Sequence, residues 1–126
     1  MARQLIRSGS PFEATVGFSR AVRVGSQVTV SGTAPIWPDG SVDSDPYVQA
    51  RRSLEIIEMA LNEAGAGLTH VVRTRVFITD VSIWEAVGRA HGEVFDEIRP
   101  ASTMVVVTGF LDQRWKVEIE ADAIVD

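Results

Sequence analysis

Two segments of the chain alternate between apolar and polar residues, and each alternation sorts its side chains onto two faces of a strand. In residues 71–78 one face carries Val72, Thr74, Val76 and Ile78, and the other Arg73, Arg75 and Phe77. In residues 115–123 Trp115, Val117, Ile119, Ala121 and Ala123 share one face, and Lys116, Glu118, Glu120 and Asp122 the other. Successive side chains of a strand point to opposite sides, so each segment has an apolar side and a polar side. One strand brings arginines and the other carboxylates. Placed in one sheet, they give it a charge-complementary side facing water, another subunit or a ligand.

The rest of the pattern supplies further elements. Residues 18–24 and 27–33 are β-rich runs around Gly25-Ser26, which reads as a hairpin turn. The N-terminal residues 1–7 read as a short first strand. Pro35, Pro38, Gly40 and several Asp and Ser mark residues 34–45 as a loop. Asp45-Pro46 predicts a helix start, with Asp as N-cap and Pro at the first helical position. Ala50, Leu54, Ile57, Leu61 and Ala64 form its apolar stripe, and Gly65 predicts a left-handed cap. A strand over residues 69–79 follows. Ser82-Ile83-Trp84-Glu85 predicts a capping box. Trp84, Gly88, His91, Phe95 and Ile98 predict the second helix stripe, stopped by Pro100. Strands over residues 102–108 and 115–125 complete one domain, residues 1–126. The expected architecture is α+β, a sheet with two helices packed on one face. The other face combines Arg73, Phe77, Glu118 and Glu120 with apolar residues around Val105 and Val107. Such a mixed face predicts association into a closed ring or two-fold dimer.

Composition narrows the function classes. The net charge is -5, and an acidic molecule repels phosphate, so nucleic acid is an unlikely partner. There is no cysteine, hence no disulfide, thiol nucleophile or thiolate metal site, and the chain fits a cytoplasmic protein. No secretory signal or membrane span is expected. Two histidines without cysteine give no readable metal site.

Gly17-Phe18-Ser19, Val30-Ser31-Gly32, Gln49, Val76-Phe77-Ile78-Thr79-Asp80, Phe95, Pro100-Ala101 and Val117-Glu118-Ile119-Glu120 occur in an order and spacing that span nearly the whole chain. In these residues the chain resembles the Rid (reactive intermediate deaminase) family, also called YjgF-like or L-PSP endoribonuclease. The resemblance implies a chorismate-mutase-like α+β fold. It implies a homotrimer with a barrel-like centre and small-molecule clefts between subunits. The activity it implies is hydrolysis of imines and enamines such as 2-aminoacrylate, with no metal or organic cofactor.

The sequence departs from the family at a telling place. Active deaminases of the family carry an arginine in a Pro-Ala-Arg-Ser motif that binds the substrate carboxylate. Here the motif reads Pro100-Ala101-Ser102-Thr103, with Ser102 at the arginine position. A neutral hydroxyl lacks the charge and the paired N–H donors of a guanidinium. The loss of such a contact costs roughly 1.5–3 kcal/mol or more, weakening carboxylate binding about ten- to a hundredfold or beyond. Gly88 and His91 stand where the family often has Asn and Tyr. Glu118 matches the carboxylate that the family uses to hold the attacking water.

The candidate site is therefore Glu118 as catalytic residue, with Phe18, Ser31, Gly32, Ser102 and His91 as substrate-binding residues. Each has a plainer reading: an ion pair with Arg73 or Arg75 for Glu118, and packing for His91 and Phe18. Ser31 and Gly32 fit a strand end that needs small residues, and no nucleophile elbow surrounds Ser102. A cofactor-free imine or enamine hydrolase and a non-catalytic ligand-binding or regulatory trimer both fit the sequence. Ribonuclease activity is disfavoured by the acidic balance and the lack of a basic or paired-histidine site.

Overall fold

A computed structural model describes residues 2–126. Strands β1 (Arg3–Ile6), β2 (Ala21–Val24), β3 (Gln27–Thr33), β4 (Val71–Ile78), β5 (Ala101–Val106) and β6 (Val117–Ile124) form one sheet in the order β1-β2-β3-β6-β4-β5. All neighbours are antiparallel except β4 and β5, which run parallel. Parallel strands need a crossover, and helix α3 (Trp84–Phe95) supplies it. Helix α2 (Pro46–Glu63) packs beside α3 on the same face of the sheet. Leu54, Ile57 and Leu61 of α2 and Val87, Ala90 and Phe95 of α3 meet Val28, Val30, Val76, Ile78, Val117 and Ile119 in one core. This is the α+β layer expected from the pattern. No helix among the described residues is long and apolar enough to cross a membrane.

The long helix begins and ends as its sequence predicts. The Asp45 side chain accepts from the Tyr47 amide, with Pro46 at the first position. At its end Gly65 takes φ 79°, its amide bonds the Asn62 carbonyl, and the Ala66 amide reaches back to the Leu61 carbonyl. That pair of bonds is a Schellman cap. Gln49, 1% exposed, points between two loops. Its Nε2 donates to the carbonyls of Asp43 and Arg114, and its Oε1 accepts from the Lys116 amide at 2.8 Å. This clamp fixes where β6 enters the sheet, and Glu118 lies two residues further on.

Several local expectations are corrected. Val71 is buried and Val72 exposed, because a register shift between Val71 and Arg73 inserts one extra residue into β4. A bulge of this kind turns every side chain before it to the other face. The capping box at Ser82 does not form. Asp80 instead caps a 3₁₀ turn over Val81–Ile83 by accepting from the Ser82 amide. The buried stripe of α3 is Val87, Ala90 and Phe95; Trp84 is exposed, and Gly88 and His91 lie on its shoulder. Residues 68–70 form a 3₁₀ turn rather than the start of β4. A short helix, α1 (Pro11–Val16), has no counterpart in the sequence reading. Its signals are the Ser10 cap, Pro11 and the left-handed Gly17. At six residues it is too short to show an apolar period. Within the expected first strand, Met1 lies outside the described residues and β1 covers Arg3–Ile6.

Candidate functional site

Glu118 stands on the sheet face opposite the helices, directly across from Phe77 of β4. Arg75, the expected ion-pair partner, is engaged elsewhere: its Nη1 lies 3.1 Å from Glu120 and 3.2 Å from Asp122. Arg73 donates to the Thr103 hydroxyl. The Glu118 carboxylate instead rests against Gly32. A Cβ at Gly32 would lie 2.9 Å from Glu118 Oε1, closer than real Cβ contacts allow. The position is glycine because the carboxylate occupies the side-chain space.

A second bulge builds this seat. Val30 faces Ala121 and Thr33 faces Ile119, so Ser31 and Gly32 together stand opposite Glu120 alone. The extra residue lets Val30 and Thr33 both point into the core while the backbone between them re-aims. The Ser31 hydroxyl donates to the Ser19 carbonyl at 2.6 Å, tying the bulge to the segment that carries Phe18.

Arg20 completes the cluster. It is 8% exposed. Its Nη1 donates to the Gly32 carbonyl at 2.7 Å and to Thr33 Oγ1 at 3.0 Å. Its Nε lies 3.8 Å from a carboxylate oxygen of the buried Glu13 in α1, and its Cζ stands 5.6 Å from the centre of the Phe18 ring. Burial holds the Glu118 carboxyl above the usual range; the nearby Arg20 charge pulls it back down, and Glu120 pushes it up. Burial likewise lowers the Arg20 guanidinium from its ordinary value, opposed by Glu13 and Glu118.

His91 and Ser102 belong to a different cluster. Thr74, fully buried on β4, bonds His91 Nε2 at 2.8 Å and donates to Ser102 Oγ at 2.8 Å. Burial pushes the His91 imidazole below its usual range, and its ring lies 4.7 Å from that of Phe95. His91, Gly92, Phe95, Asp96, Arg99 and Pro100 line an open cavity of about 270 Å³ beside this chain of hydroxyls. Ser102 itself is exposed at the sheet edge.

The structure thus brings Phe18, Ser31, Gly32 and Glu118 together and places His91 and Ser102 with Thr74 on the helix-covered side. Within one chain the two groups do not share a cleft. Two members were missed from the sequence. Thr74 was visible as the one polar residue on the apolar side of its strand. Arg20 carried only a weak signal, a charge between Phe18 and Ala21 in a β-rich run.

A mixed sheet with two long helices on one face, and a carboxylate seated on a bulge glycine on the other, defines the YjgF-type α+β class. The family model described as Endoribonuclease L-PSP matches residues 9–125. The chain therefore belongs to the Rid/YjgF family. Among solved structures it is similar to Rv2704 of Mycobacterium tuberculosis, a member of the YjgF/YER057c/UK114 family, with TM-score 0.91 and 47% identity over 98% of this chain and 100% of that one. It is 42% identical to the Streptomyces coelicolor protein SCO2049 over 94% of this chain and 89% of the relative. It is 33% identical to a Salmonella typhimurium 2-iminobutanoate/2-iminopropanoate deaminase over 98% of each.

Proposed function

We propose that this protein is a cofactor-independent hydrolytic deaminase for a small imine or enamine, working in a cleft between subunits of a homotrimer. The observation that carries this reading is Glu118: a half-buried carboxyl, seated against Gly32, whose proton affinity is raised by burial. A carboxylate tuned upward holds a proton more readily than an ordinary one, as a group that accepts and returns protons must. The name of the Salmonella relative supports the same reaction class.

The chemistry needs one proton shuttle. Glu118 accepts a proton from a water as the water oxygen bonds to the imine carbon. The imine is in its protonated form, and the C=N electron pair moves to nitrogen, giving a carbinolamine. Glu118 then returns its proton to the amine nitrogen and takes the hydroxyl proton as the C–N bond breaks, giving a carbonyl product and ammonia; that proton passes to solvent and restores the carboxylate. An enamine enters by protonation at carbon, which converts it to the imine. Glu118 is seated against Gly32, whose carbonyl accepts from Arg20, and Phe18 lies beside the guanidinium.

Two features support a cleft made by more than one chain. The candidate residues divide between opposite sides of the sheet. The open face also leaves Val105 42% exposed beside Phe77, and a neighbouring copy would cover it. Ser102 presents an uncharged hydroxyl, so the substrate depends less on a carboxylate than 2-aminoacrylate does.

The test is keto acid release from an enamine generated in situ by a dehydratase. Acceleration that disappears in Glu118→Gln, together with faster turnover of a carboxylate substrate in Ser102→Arg, is expected. Wild-type rates at background with no gain in Ser102→Arg count against the proposal. Stabilisation by small ligands without any turnover would favour the non-catalytic binding trimer. Sedimentation as a single protomer at micromolar concentration would remove the intersubunit cleft.

A further inference from the structure

We infer that Arg20 is the positioning residue that sets the charge carried by Glu118, and that Glu13 competes with Glu118 for it. The inference deepens the deaminase reading and rests on it for the importance of Glu118, while the electrostatic claim rests on the seat that the two side chains share at Gly32.

Arg20 is fixed from several directions. Its amide donates to the Ile6 carbonyl at 2.8 Å, and its carbonyl accepts from the Ser31 amide at 2.9 Å. Its guanidinium is pinned to Gly32 of the bulge and to Thr33, the next residue in register. Gly32 is thus a common seat: its carbonyl receives Arg20, and its vacant side-chain space receives the Glu118 carboxylate. On the other flank the guanidinium faces Glu13, which is held by the Ser8 amide and hydroxyl. One buried cation therefore serves two carboxylates from distant parts of the chain.

Few other charges compete around Glu118. Glu120, on the same strand, acts on it with the opposite sign to Arg20. Arg75 of β4 is held by Glu120 and Asp122. Opposite Glu118, β4 offers the uncharged Phe77, and from β3 it is Gly32 that lies against the carboxylate. An opposite charge nearby favours the ionised carboxylate and a like charge disfavours it. Removal of Arg20 then raises the proton affinity of Glu118. Neutralising Glu13 leaves the Arg20 charge to Glu118 alone and lowers it.

The experiment is a ¹³C NMR titration of the glutamate side-chain carboxyls, with the Glu118 resonance assigned by its loss in Glu118→Gln. The Glu118 midpoint should move to higher pH in Arg20→Gln, return toward wild type in Arg20→Lys, and move to lower pH in Glu13→Gln. The acidic limb of kcat/KM should shift in the same three directions. A purely structural arginine would not give shifts of opposite sign. Unmoved midpoints, or midpoints displaced the same way by Arg20→Gln and Glu13→Gln, overturn the inference. If Arg20→Gln does not fold, Glu13→Gln still decides by the direction of its shift. Because the titration needs no turnover, loss of the deaminase reading and loss of the Arg20 assignment are separate results.

Discussion

Substituting Gly32 by Ala probes the site with one methyl group. Its backbone lies outside the left-handed region, so alanine meets no backbone strain. The new Cβ would stand 2.9 Å from Glu118 Oε1, whereas ordinary contact begins at 3.4 Å. The carboxylate must retreat by about half an ångström or more, and as the end of a flexible side chain it has room to swing. Overpacking costs about 1–3 kcal/mol in cores, and a movable neighbour puts this site at the lower end. A loss of about 1 kcal/mol lowers Tm by roughly 3–5 °C in a domain of this size. The effect on chemistry is larger, because displacement of a reacting group by about 1 Å costs up to ~100-fold in rate. Thermal melting and dehydratase-coupled keto acid release measure the two effects on one preparation. The expected result is a well-folded variant with turnover reduced about tenfold to a hundredfold. Wild-type turnover in Gly32→Ala would refute the claim that Glu118 works from its seat on Gly32. A collapse in stability of more than about 3 kcal/mol would refute the claim that the carboxylate yields easily.

Thr74→Val keeps the buried shape but leaves the half-buried His91 Nε2 without its partner, so a urea midpoint should report a loss of about 1–3 kcal/mol. Gln49→Leu strips two carbonyls and one amide of their shared partner; denaturation should show a loss of about 3 kcal/mol, with reduced turnover because β6 is no longer clamped. Glu118 has a folded pKa raised by burial, so the folded chain binds more protons than the unfolded chain between the two pKa values, and stability falls as pH rises through that window. Glu118→Gln should therefore be more stable than wild type at neutral pH, with a smaller advantage below the unfolded carboxyl pKa. Equal pH–stability curves for the two proteins would contradict the burial of this group.

Much of the architecture was legible because local chemistry repeats at a fixed period. The stripe of Leu54, Ile57 and Leu61 fits a helix whose caps at Asp45 and Gly65 are specified by their neighbours alone. The alternation around Val117, Ile119 and Ala121 survives intact in β6. The α3 stripe was read one position off because Trp84 and His91 imitate core residues. The Val72 face was misassigned because a bulge depends on the partner strand, which a one-dimensional pattern does not contain. The departure at Ser102 was visible in the sequence, but its bond to Thr74 required β4 and β5 to be paired.

The sequence by itself determined the layer of sheet and helices and the family, and it singled out Glu118 as the candidate carboxylate. Periodicity, capping and motif order act over a few residues or are compared position by position. Tertiary structure alone decided that Arg20 reaches the seat of Glu118, that Glu13 flanks it from the other side, and that Ser102 bonds Thr74. Those encounters depend on strand register and on two single-residue bulges. A shift of one residue changes which side chain faces which, and no local pattern of polarity encodes that choice.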